Sequence, residues 1–224
     1  MFIGHYGLGY VVKKKTPELP LWLLFVSVQL LDLVAFTFVL LGIEKASYNP
    51  SNNPFFRNHL DLPYSHSLLG AILISLVVFI LFWIKDKKRW AWILGLCVIS
   101  HWFIDLIVHT ADLPILFGTC NVGFGLWSFP YLTYAVEILF VLIGWLLIKQ
   151  RNIFSYLLLF FMIASFTGMV FSEEPEIMKQ NDYLRTSVVL ISNGLFILLA
   201  YLSDRKRKYF KNSNSHVNLI NTGK

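Results

Sequence analysis

The sequence predicts an all-α, polytopic membrane protein, and three observations lead to this class. Of its 224 residues, 56% are hydrophobic and only 14% are charged, whereas about 25% are charged in an average soluble protein. Apolar runs that could supply about 20 residues of helix, the length that crosses roughly 30 Å of hydrocarbon, recur along the chain. Lysine and arginine are concentrated in alternate connections between these runs, as in loops on one side of a membrane.

About six transmembrane helices are expected, with a short apolar helix ahead of them. Residues 1–148 hold this first helix and four spans that contain the buried polar residues. Residues 149–204 hold two structural spans, and residues 205–224 form a basic cytoplasmic tail that is expected to be disordered. The predicted spans cover residues 21–43, 66–84, 90–109, 126–148, 153–171 and 187–203.

The N-terminal segment, residues 1–12, is apolar but too short to cross a membrane, and three lysines follow it. It forms either a re-entrant helix or an interfacial amphipathic helix. A re-entrant helix would carry His5 on the order of 12 Å into the bilayer, at about 1.5 Å per residue. The span behind it has no small-residue cleavage site, so we expect it to be retained and not removed as a signal peptide.

Fifteen of the nineteen lysine and arginine residues would lie on one side of a six-span membrane protein. Because these residues accumulate on the cytoplasmic side, both termini are expected in the cytoplasm and the protein in the inner, or plasma, membrane. Attraction of basic residues to anionic lipids accounts for the net charge of +6. The expected partner of this charge is therefore the lipid bilayer, and no nucleic acid.

The third predicted span and the residues just after it contain four ionisable residues with helical spacing, although each charge near a helix centre costs roughly 2.5 to 3.5 kcal/mol on insertion scales. At about 100° per residue, Asp105 lies about 40° around the helix from His101. By the same count His109 lies about 80° and Asp112 about 20° from His101. Such a stripe indicates a metal site, a proton path or a buried polar network.

Further polar residues are expected near this stripe. Asp32 and Glu137 lie near the middle of the first and fourth spans, and Gln29 shares a helix face with Asp32. Ser65 is a suitable N-cap for the second span, so His66 is expected in the first helical turn, on the outer side.

Imidazole and carboxylate ligands without thiolates are typical of a catalytic divalent metal ion, and zinc or manganese is the expected cofactor. The N-terminal segment enters from the cytoplasmic side, whereas His66 and His109 are expected on the outer side, so one ion cannot bind every polar residue. The preferred site lies in the outer half of the membrane. It has His66, His101 and Asp105 as metal ligands, with Asp32 completing it.

Asp32 and Glu137 are the candidate catalytic carboxylates, because a carboxylate beside a metal ion can act as a general base or orient a ligand histidine. His109 and Asp112 lie at the outer mouth, where they are candidates for substrate access or for a second site. The glycine-containing run 113–128 that follows is expected to form either a lid over the site or a simple interfacial turn.

Four short motifs follow one another along residues 1–127. They are His5-Tyr-Gly-Leu-Gly9, Leu31-Asp32, Tyr64-Ser-His66-Ser-Leu-Leu and Ser100-His101-Trp-Phe-Ile-Asp105. In this order they resemble the bacterial family of membrane-bound metal-dependent hydrolases, inner-membrane proteins of which some are LexA-regulated. The chain departs from the family pattern at Leu62-Pro63-Tyr64, where members often carry His-Arg. The resemblance implies metal ligands at His5, Asp32, His66, His101 and Asp105.

Three functions remain open at this point. The first is a membrane-embedded metal-dependent hydrolase that acts on a small amphipathic substrate, a lipid-like ester or phosphoester. The second is a small permease, or a transporter coupled to ions or protons, that uses the same His/Asp stripe. Against it, the sequence has no internal repeat and no paired helices broken by glycine or proline. The third is a non-catalytic membrane protein whose polar residues hold its helices together.

Overall fold

The computed structural model describes residues 2–149 and 151–220, with side chains up to residue 205. This part of the chain is mostly helical and includes two short β-hairpins, which confirms the all-α class. The helices are α1 (Gly4–Lys15), α2 (Leu21–Val28), α3 (Leu30–Leu40), α4 (Leu68–Trp83), α5 (Lys88–Val108), α6 (Pro130–Leu147), α7 (Ile153–Phe171), α8 (Glu176–Lys179) and α9 (Asp182–Ile220). The strands are β1 (Lys45–Tyr48), β2 (Asn58–Asp61), β3 (Leu113–Leu116) and β4 (Thr119–Val122).

Four helices are long and apolar enough to cross a membrane: α5, α6, α7 and the part of α9 at Asp182–Arg205. The bent pair of α2 and α3 would make a fifth span, while α4 has only 16 residues. Large apolar side chains are exposed on α4, α6 and α7, among them Val77, Leu139 and Phe160. Exposed apolar surface of this extent is expected where helices contact lipid, so the protein is membrane-embedded.

The first predicted span is not one straight helix, and the prediction of a continuous helix is wrong. α2 ends at Val28 and α3 begins at Leu30, with a bend of 59° between them. Gln29 stands at the bend with φ −108° and ψ 4°. His101 of α5 contacts the Val28 carbonyl there, and a side chain that enters the ladder of backbone hydrogen bonds is a known cause of helix kinks.

The start of α4 also differs from the prediction. Its N-cap is Ser67, whose hydroxyl accepts a hydrogen bond from the backbone N–H of Gly70 at 2.9 Å, and not Ser65. His66 therefore lies in the segment before the helix and not in the first helical turn. This position frees His66 from helical geometry and lets its side chain turn towards α3 and α5.

α5 ends within one residue of the predicted end of the third span. The helix stops at Val108, and His109 has extended backbone angles of φ −61° and ψ 146°. Asp112 lies beyond the helix, so the predicted stripe of four residues on one helix is wrong for Asp112. His101 and Asp105, one turn apart within α5, keep the predicted spacing.

α1 is buried within the helix bundle and packs closely against α6. A Cβ atom at Gly7 would lie 2.9 Å from the backbone oxygen of Phe140, and one at Gly144 would lie 2.7 Å from the backbone oxygen of Gly7. His5 and Tyr10 of α1 are fully buried. This burial favours the re-entrant alternative over a helix that lies on the membrane surface.

Two antiparallel hairpins lie in connections that the sequence predicts to be loops. β1 pairs with β2 between α3 and α4, and β3 pairs with β4 between α5 and α6. The second hairpin turns at Gly118, which has φ +82°, and it covers the end of α5 through a hydrogen bond from Trp102 Nε1 to the Pro114 oxygen. The run after the stripe is therefore an ordered hairpin, a more regular structure than a simple turn.

Contacts between connections define one end of the bundle, here called the basic end. It comprises the connections α1–α2, α4–α5 and α6–α7 and the region where α9 passes residues 203–205. The contacts are Glu18 Oε1 with Arg89 Nη1 at 3.0 Å, Asp204 Oδ2 with Lys13 Nζ at 3.2 Å, and Ser203 O with Asn152 Nδ2 at 3.0 Å. Connections that hold most of the basic residues thus lie together.

The opposite end, here called the hairpin end, comprises the connections α3–α4, α5–α6 and α7–α9. The contacts there are Tyr48 N with Asp182 Oδ1 at 3.2 Å, Asn53 Nδ2 with Trp127 O at 2.8 Å, and Arg57 Nη1 with Ser172 O at 2.8 Å. α9 begins at this end and continues to Ile220, where the sequence predicts a disordered tail from residue 205. Side chains from 206 onward and the backbone from 221 lie outside the described residues.

Candidate metal centre

Five polar side chains from four parts of the fold converge inside the bundle. They are His5 of α1, Asp32 of α3, His66 before α4, and His101 and Asp105 of α5. They form two groups of three in which the candidate ligand atoms all lie within 4.8 Å of one another, and His101 belongs to both groups. Four of the five side chains are at most 6% exposed, whereas that of Asp32 is 16% exposed.

The two carboxylates lie between the three imidazole rings. Asp105 Oδ1 is 3.1 Å from His5 Nε2, and Asp105 Oδ2 is 3.1 Å from His101 Nε2 and 3.8 Å from His66 Nε2. Asp32 Oδ1 is 3.1 Å from His66 Nε2 and 3.6 Å from His101 Nε2. The rings of His5 and His101 stack at 3.7 Å with an angle of 8° between their planes.

Different features of the fold bring these side chains to the cluster. The spacing of four residues places His101 and Asp105 on one face of α5. The insertion of α1 brings in His5, and the bend between α2 and α3 directs Asp32 inward. The segment before α4 brings His66 to the same point, so His5 and His66 meet there in one cluster. The expectation that entry from opposite sides keeps them apart is wrong.

The hydrogen bonding of His101 fixes which ring nitrogen faces the carboxylates. His101 Nδ1 lies 2.7 Å from the carbonyl oxygen of Val28, and a carbonyl oxygen can only accept. Val28 is the last residue of α2, where carbonyls have no partner within the helix. Nδ1 therefore carries the proton, and Nε2 of the neutral ring holds a lone pair.

With a neutral His101 ring, the Nε2 acceptor faces the acceptor oxygens of Asp105 and Asp32. Among the residues that the structure describes, His101 Nε2 is buried without a hydrogen-bond partner of suitable geometry, although Asp105 Oδ2 and Asp32 Oδ1 lie nearby. A lone pair and two carboxylate oxygens in a dry site repel one another unless a cation lies between them. A divalent metal ion or a proton on Nε2 satisfies this requirement. The nitrogen and oxygen donor set fits zinc or manganese.

Two further polar residues support the cluster: Glu44, which the sequence does not single out, and Ser65, which it predicts only as an N-cap. Glu44, which is 2% exposed, accepts hydrogen bonds from Ser65 through both its backbone N–H at 2.8 Å and its hydroxyl at 2.7 Å. Ser65 Oγ lies 3.0 Å from His66 Nδ1. Because Glu44 follows a span in a connection and lies 21 residues from Ser65, no local spacing connects the two in the sequence.

Gln29 contacts the cluster at Asp32. Its Nε2 donates a hydrogen bond to Asp32 Oδ2, which leaves Oδ1 directed at the two histidines. The spacing of three residues between Gln29 and Asp32 does predict that they share a helix face. The spacing of three residues therefore predicts the contact between Gln29 and Asp32, although the helix is bent at Gln29 and not continuous.

Glu137 of α6 lies outside the two groups, and its side chain contacts the N-terminus of α1. Its Oε2 accepts hydrogen bonds from the backbone N–H groups of Phe2 at 2.9 Å and Gly4 at 3.0 Å. A carboxylate at a helix N-terminus satisfies backbone donors that have no partner within the helix and interacts favourably with the helix dipole. In this geometry Glu137 holds the N-terminal segment in place and so indirectly positions His5.

His109 and Asp112 contact each other and do not belong to the cluster. His109 Nδ1 lies 3.2 Å from Asp112 Oδ1, and its ring packs on Trp127 at 4.1 Å. His109 is 7% exposed, whereas the side chain of Asp112 is 55% exposed. The structure therefore divides the predicted stripe into a buried pair in the cluster and a second pair near the hairpin end.

Comparisons of this chain with protein-family models, with curated proteins and with solved structures found no match. The function of the cluster is therefore argued from its geometry, its burial and the chemistry of its donor atoms.

Proposed function

We propose that the protein is a membrane-embedded, metal-dependent hydrolase that acts on a lipid-like ester or phosphoester. The observation that carries this proposal is the buried Nε2 of His101, which lies 3.1 Å from Asp105 Oδ2 and 3.6 Å from Asp32 Oδ1 and needs a cation or a proton between them. Proteins seldom bury such a set of acceptors unless a cation completes it. A donor set of imidazoles and carboxylates is typical of catalytic metal sites, whereas thiolates are typical of structural zinc, and this chemistry supports the proposal.

Two overlapping groups could hold the cation: His5, His101 and Asp105, and Asp32, His66 and His101. A divalent ion bound there would supply Lewis-acid catalysis and promote the ionisation of water near neutral pH. Asp32 is the residue placed to accept a proton from the attacking water, because its side chain is the most exposed of the five. The hydrogen bond from Gln29 to Oδ2 orients Asp32 for this role.

The environment of the site favours an amphipathic substrate. The cluster lies among helices whose outer faces expose large apolar side chains, so its surroundings are the interior of the bilayer and not water. Asp32, whose side chain is 16% exposed, lies on α3 next to the bend, where a polar group of a lipid-like molecule could approach while its apolar part stays in the membrane. A soluble, strongly hydrated substrate would have to lose its water to reach this depth.

The proposed topology has six passes and both termini in the cytoplasm. It counts the bent pair of α2 and α3 as one pass and α4 as another, with α1 re-entrant from the basic end. The ion pair of Lys13 with Asp204 supports a common side for the start of α2 and the end of the last span. The excess of basic residues at that end favours the cytoplasm and an inner, or plasma, membrane.

The convergent residues also support the proposed relationship to the membrane-bound metal-dependent hydrolases. The resemblance implies five ligand positions spread over 101 residues of the sequence, from His5 to Asp105. The same five positions form the two groups that could hold a metal ion. Convergence of all five is not expected if the motifs match the family by accident.

A transporter is the second candidate, and one observation favours it. The helix broken at Gln29 lies beside the cluster, and broken helices next to buried ion sites occur in many transporters. The break weakens the sequence argument against a permease, although it contains no glycine or proline and no second broken pair occurs among the described residues. In a transporter, the cation between the acceptors would be the cargo or a proton.

Reconstitution into lipid vesicles separates these functions. The parent protein should hydrolyse a chromogenic phosphoester or ester with a long acyl chain, lose this activity on chelation, and regain it with zinc or manganese. His101→Ala should be inactive, whereas His59→Ala, which removes an exposed histidine of β2, should match the parent. Metal uptake into the vesicles without any product would reject the hydrolase and support the transporter.

A further inference from the structure

We infer that Glu44 and Ser65 are positioning residues that hold a proton on Nδ1 of His66 and so direct Nε2 into the cluster as the nitrogen that a cation would take. The proton on Nδ1 follows from hydrogen bonds alone. Only its consequence for metal affinity rests on the proposed function.

Glu44 is held as an acceptor by three donors. Its Oε1 accepts from the backbone N–H groups of Tyr64 at 2.9 Å and Ser65 at 2.8 Å, and its Oε2 accepts from the Ser65 hydroxyl at 2.7 Å. Glu44 is 2% exposed and Ser65 is fully buried. A buried carboxylate with three donors directed at it is satisfied as the anion, which accepts hydrogen bonds and donates none.

The single hydrogen of the Ser65 hydroxyl decides the state of His66. Because this hydrogen is donated to Glu44, Ser65 Oγ can only accept from its other neighbour, His66 Nδ1 at 3.0 Å. Nδ1 must therefore be the protonated nitrogen. In the neutral ring Nε2 is then an acceptor, although it lies in hydrogen-bond contact with Asp32 Oδ1 at 3.1 Å and 3.8 Å from Asp105 Oδ2. This contact requires a cation or a second proton on Nε2, because a carboxylate oxygen only accepts.

His66 and His101 thus have the same tautomer for two independent reasons. A backbone carbonyl at a helix bend fixes His101, and a carboxylate acting through a hydroxyl fixes His66. Partners of this kind on the far nitrogen are the usual way in which proteins orient metal-binding histidines. In these contacts Glu44 binds Ser65, and Ser65 binds His66. Both residues therefore act on the cluster through His66.

The substitution Glu44→Gln should reverse the direction of these hydrogen bonds. The amide oxygen of glutamine can accept from the two backbone N–H groups, which leaves its NH2 group facing Ser65 Oγ. Ser65 would then accept from the amide and donate to His66 Nδ1. The proton of His66 would move to Nε2, where it points at the carboxylates and excludes a metal ion.

Two variants at Ser65 provide a matched pair. Ser65→Ala removes the hydroxyl that accepts from Nδ1, so the ring of His66 should instead donate from Nε2 to Asp32 Oδ1. Ser65→Thr keeps the hydroxyl and should keep the parent tautomer. Ser75→Ala is the control for loss of a partly buried serine hydrogen bond elsewhere, because Ser75 Oγ donates to the Gly95 oxygen between α4 and α5.

The test is nitrogen-15 NMR of metal-free, 15N-histidine-labelled full-length protein in detergent micelles, with His66 assigned by its absence in His66→Gln. We expect a proton on Nδ1 in the parent, Ser65→Thr and Ser75→Ala, and an Nδ1 without a proton in Glu44→Gln and Ser65→Ala. A parent spectrum in which Nδ1 carries no proton overturns the inference without any variant. An unchanged tautomer in Glu44→Gln, with a melting curve that shows folded protein, also overturns it.

Zinc competition titrations on the same samples separate this inference from the proposed function. Affinity should fall by about 10- to 100-fold in Glu44→Gln and stay at the parent value in Ser65→Thr. If the parent binds no metal but the tautomers change as described, the proposed function fails and the inference on His66 stands. If the parent binds metal and Glu44→Gln binds it equally well, the positioning role of Glu44 is rejected while the metal site remains.

Discussion

His101 donates a hydrogen bond from Nδ1 to the carbonyl oxygen of Val28, 2.7 Å away, at the bend between α2 and α3. The contact joins two features that the sequence presents separately, an ionisable residue in the third span and a break in the first. The bend exposes a carbonyl, the carbonyl fixes the histidine tautomer, and the tautomer directs a lone pair at Asp32 and Asp105. A substitution at the bend should therefore alter the positions of the side chains in the cluster.

Gln29→Leu should weaken metal binding without unfolding the protein. Leucine has a similar size but cannot donate the hydrogen bond that orients Asp32, so metal affinity should fall by about 10- to 100-fold. Titration with zinc against a chelator of known affinity measures this change. Thr37→Val, which removes a hydrogen bond to the Leu33 oxygen further along α3, is the control and should bind metal as the parent does.

The close approach of α1 and α6 predicts a large difference between two glycine substitutions. Gly144→Ala places a Cβ atom 2.7 Å from the Gly7 oxygen and 2.9 Å from Tyr10 Cβ, which should destabilise the fold by about 1 to 3 kcal/mol. Gly168→Ala, in α7, meets no described atom within 4 Å and should be neutral or stabilising by up to about 1 kcal/mol. Thermal unfolding in detergent micelles compares them. Equal melting temperatures would contradict the close packing of α1.

Glu137 should act on stability more than on chemistry. Glu137→Leu leaves the backbone N–H groups of Phe2 and Gly4 without their acceptor, and we expect a loss of about 1 to 3 kcal/mol of stability for each such buried donor. Glu137→Gln keeps an acceptor oxygen and should retain both metal binding and hydrolysis. Loss of hydrolysis in a folded, metal-bound Glu137→Gln protein would instead assign Glu137 a direct catalytic role.

The two cysteines offer a test of sidedness. Cys120 is exposed at the hairpin end, while Cys97 is buried in α5. If the basic end is cytoplasmic, a membrane-impermeant thiol reagent should label right-side-out membrane vesicles and spare inside-out ones. Cys120→Ser should abolish the labelling. Labelling confined to inside-out vesicles would place the hairpin end in the cytoplasm and reverse the proposed orientation.

The sequence predicts the membrane class, the α5 pair and the apolar helices because these depend on local composition and spacing. Hydrophobic runs determine where helices can cross, and a separation of four residues places His101 and Asp105 on one face whatever surrounds them. The five ligand positions implied by the family resemblance likewise converge, although motif order gives no geometry. For the apolar helices and for the pair of His101 and Asp105, short-range information in the sequence is enough.

The remaining features depend on contacts between distant residues. No glycine or proline marks the bend at Gln29, which forms where a side chain from α5 takes a backbone carbonyl of α2. Glu44 reaches Ser65 only because the connection between α3 and α4 folds back through the β1–β2 hairpin. α5 ends at Val108, so Asp112 lies outside the helix and apart from His101 and Asp105. Counting 100° per residue along the sequence does not reveal this helix end, because the count can be continued past it.

The central claim is that the buried acceptors around His101 bind a divalent metal ion. Elemental analysis of purified protein from cells grown with zinc and manganese tests it directly, with His101→Ala and the exposed His59→Ala as comparison variants. We predict a stoichiometric divalent metal in the parent and in His59→Ala, and none in a folded His101→Ala protein. A parent protein without stoichiometric metal, or a His101→Ala variant that retains it, would contradict the account.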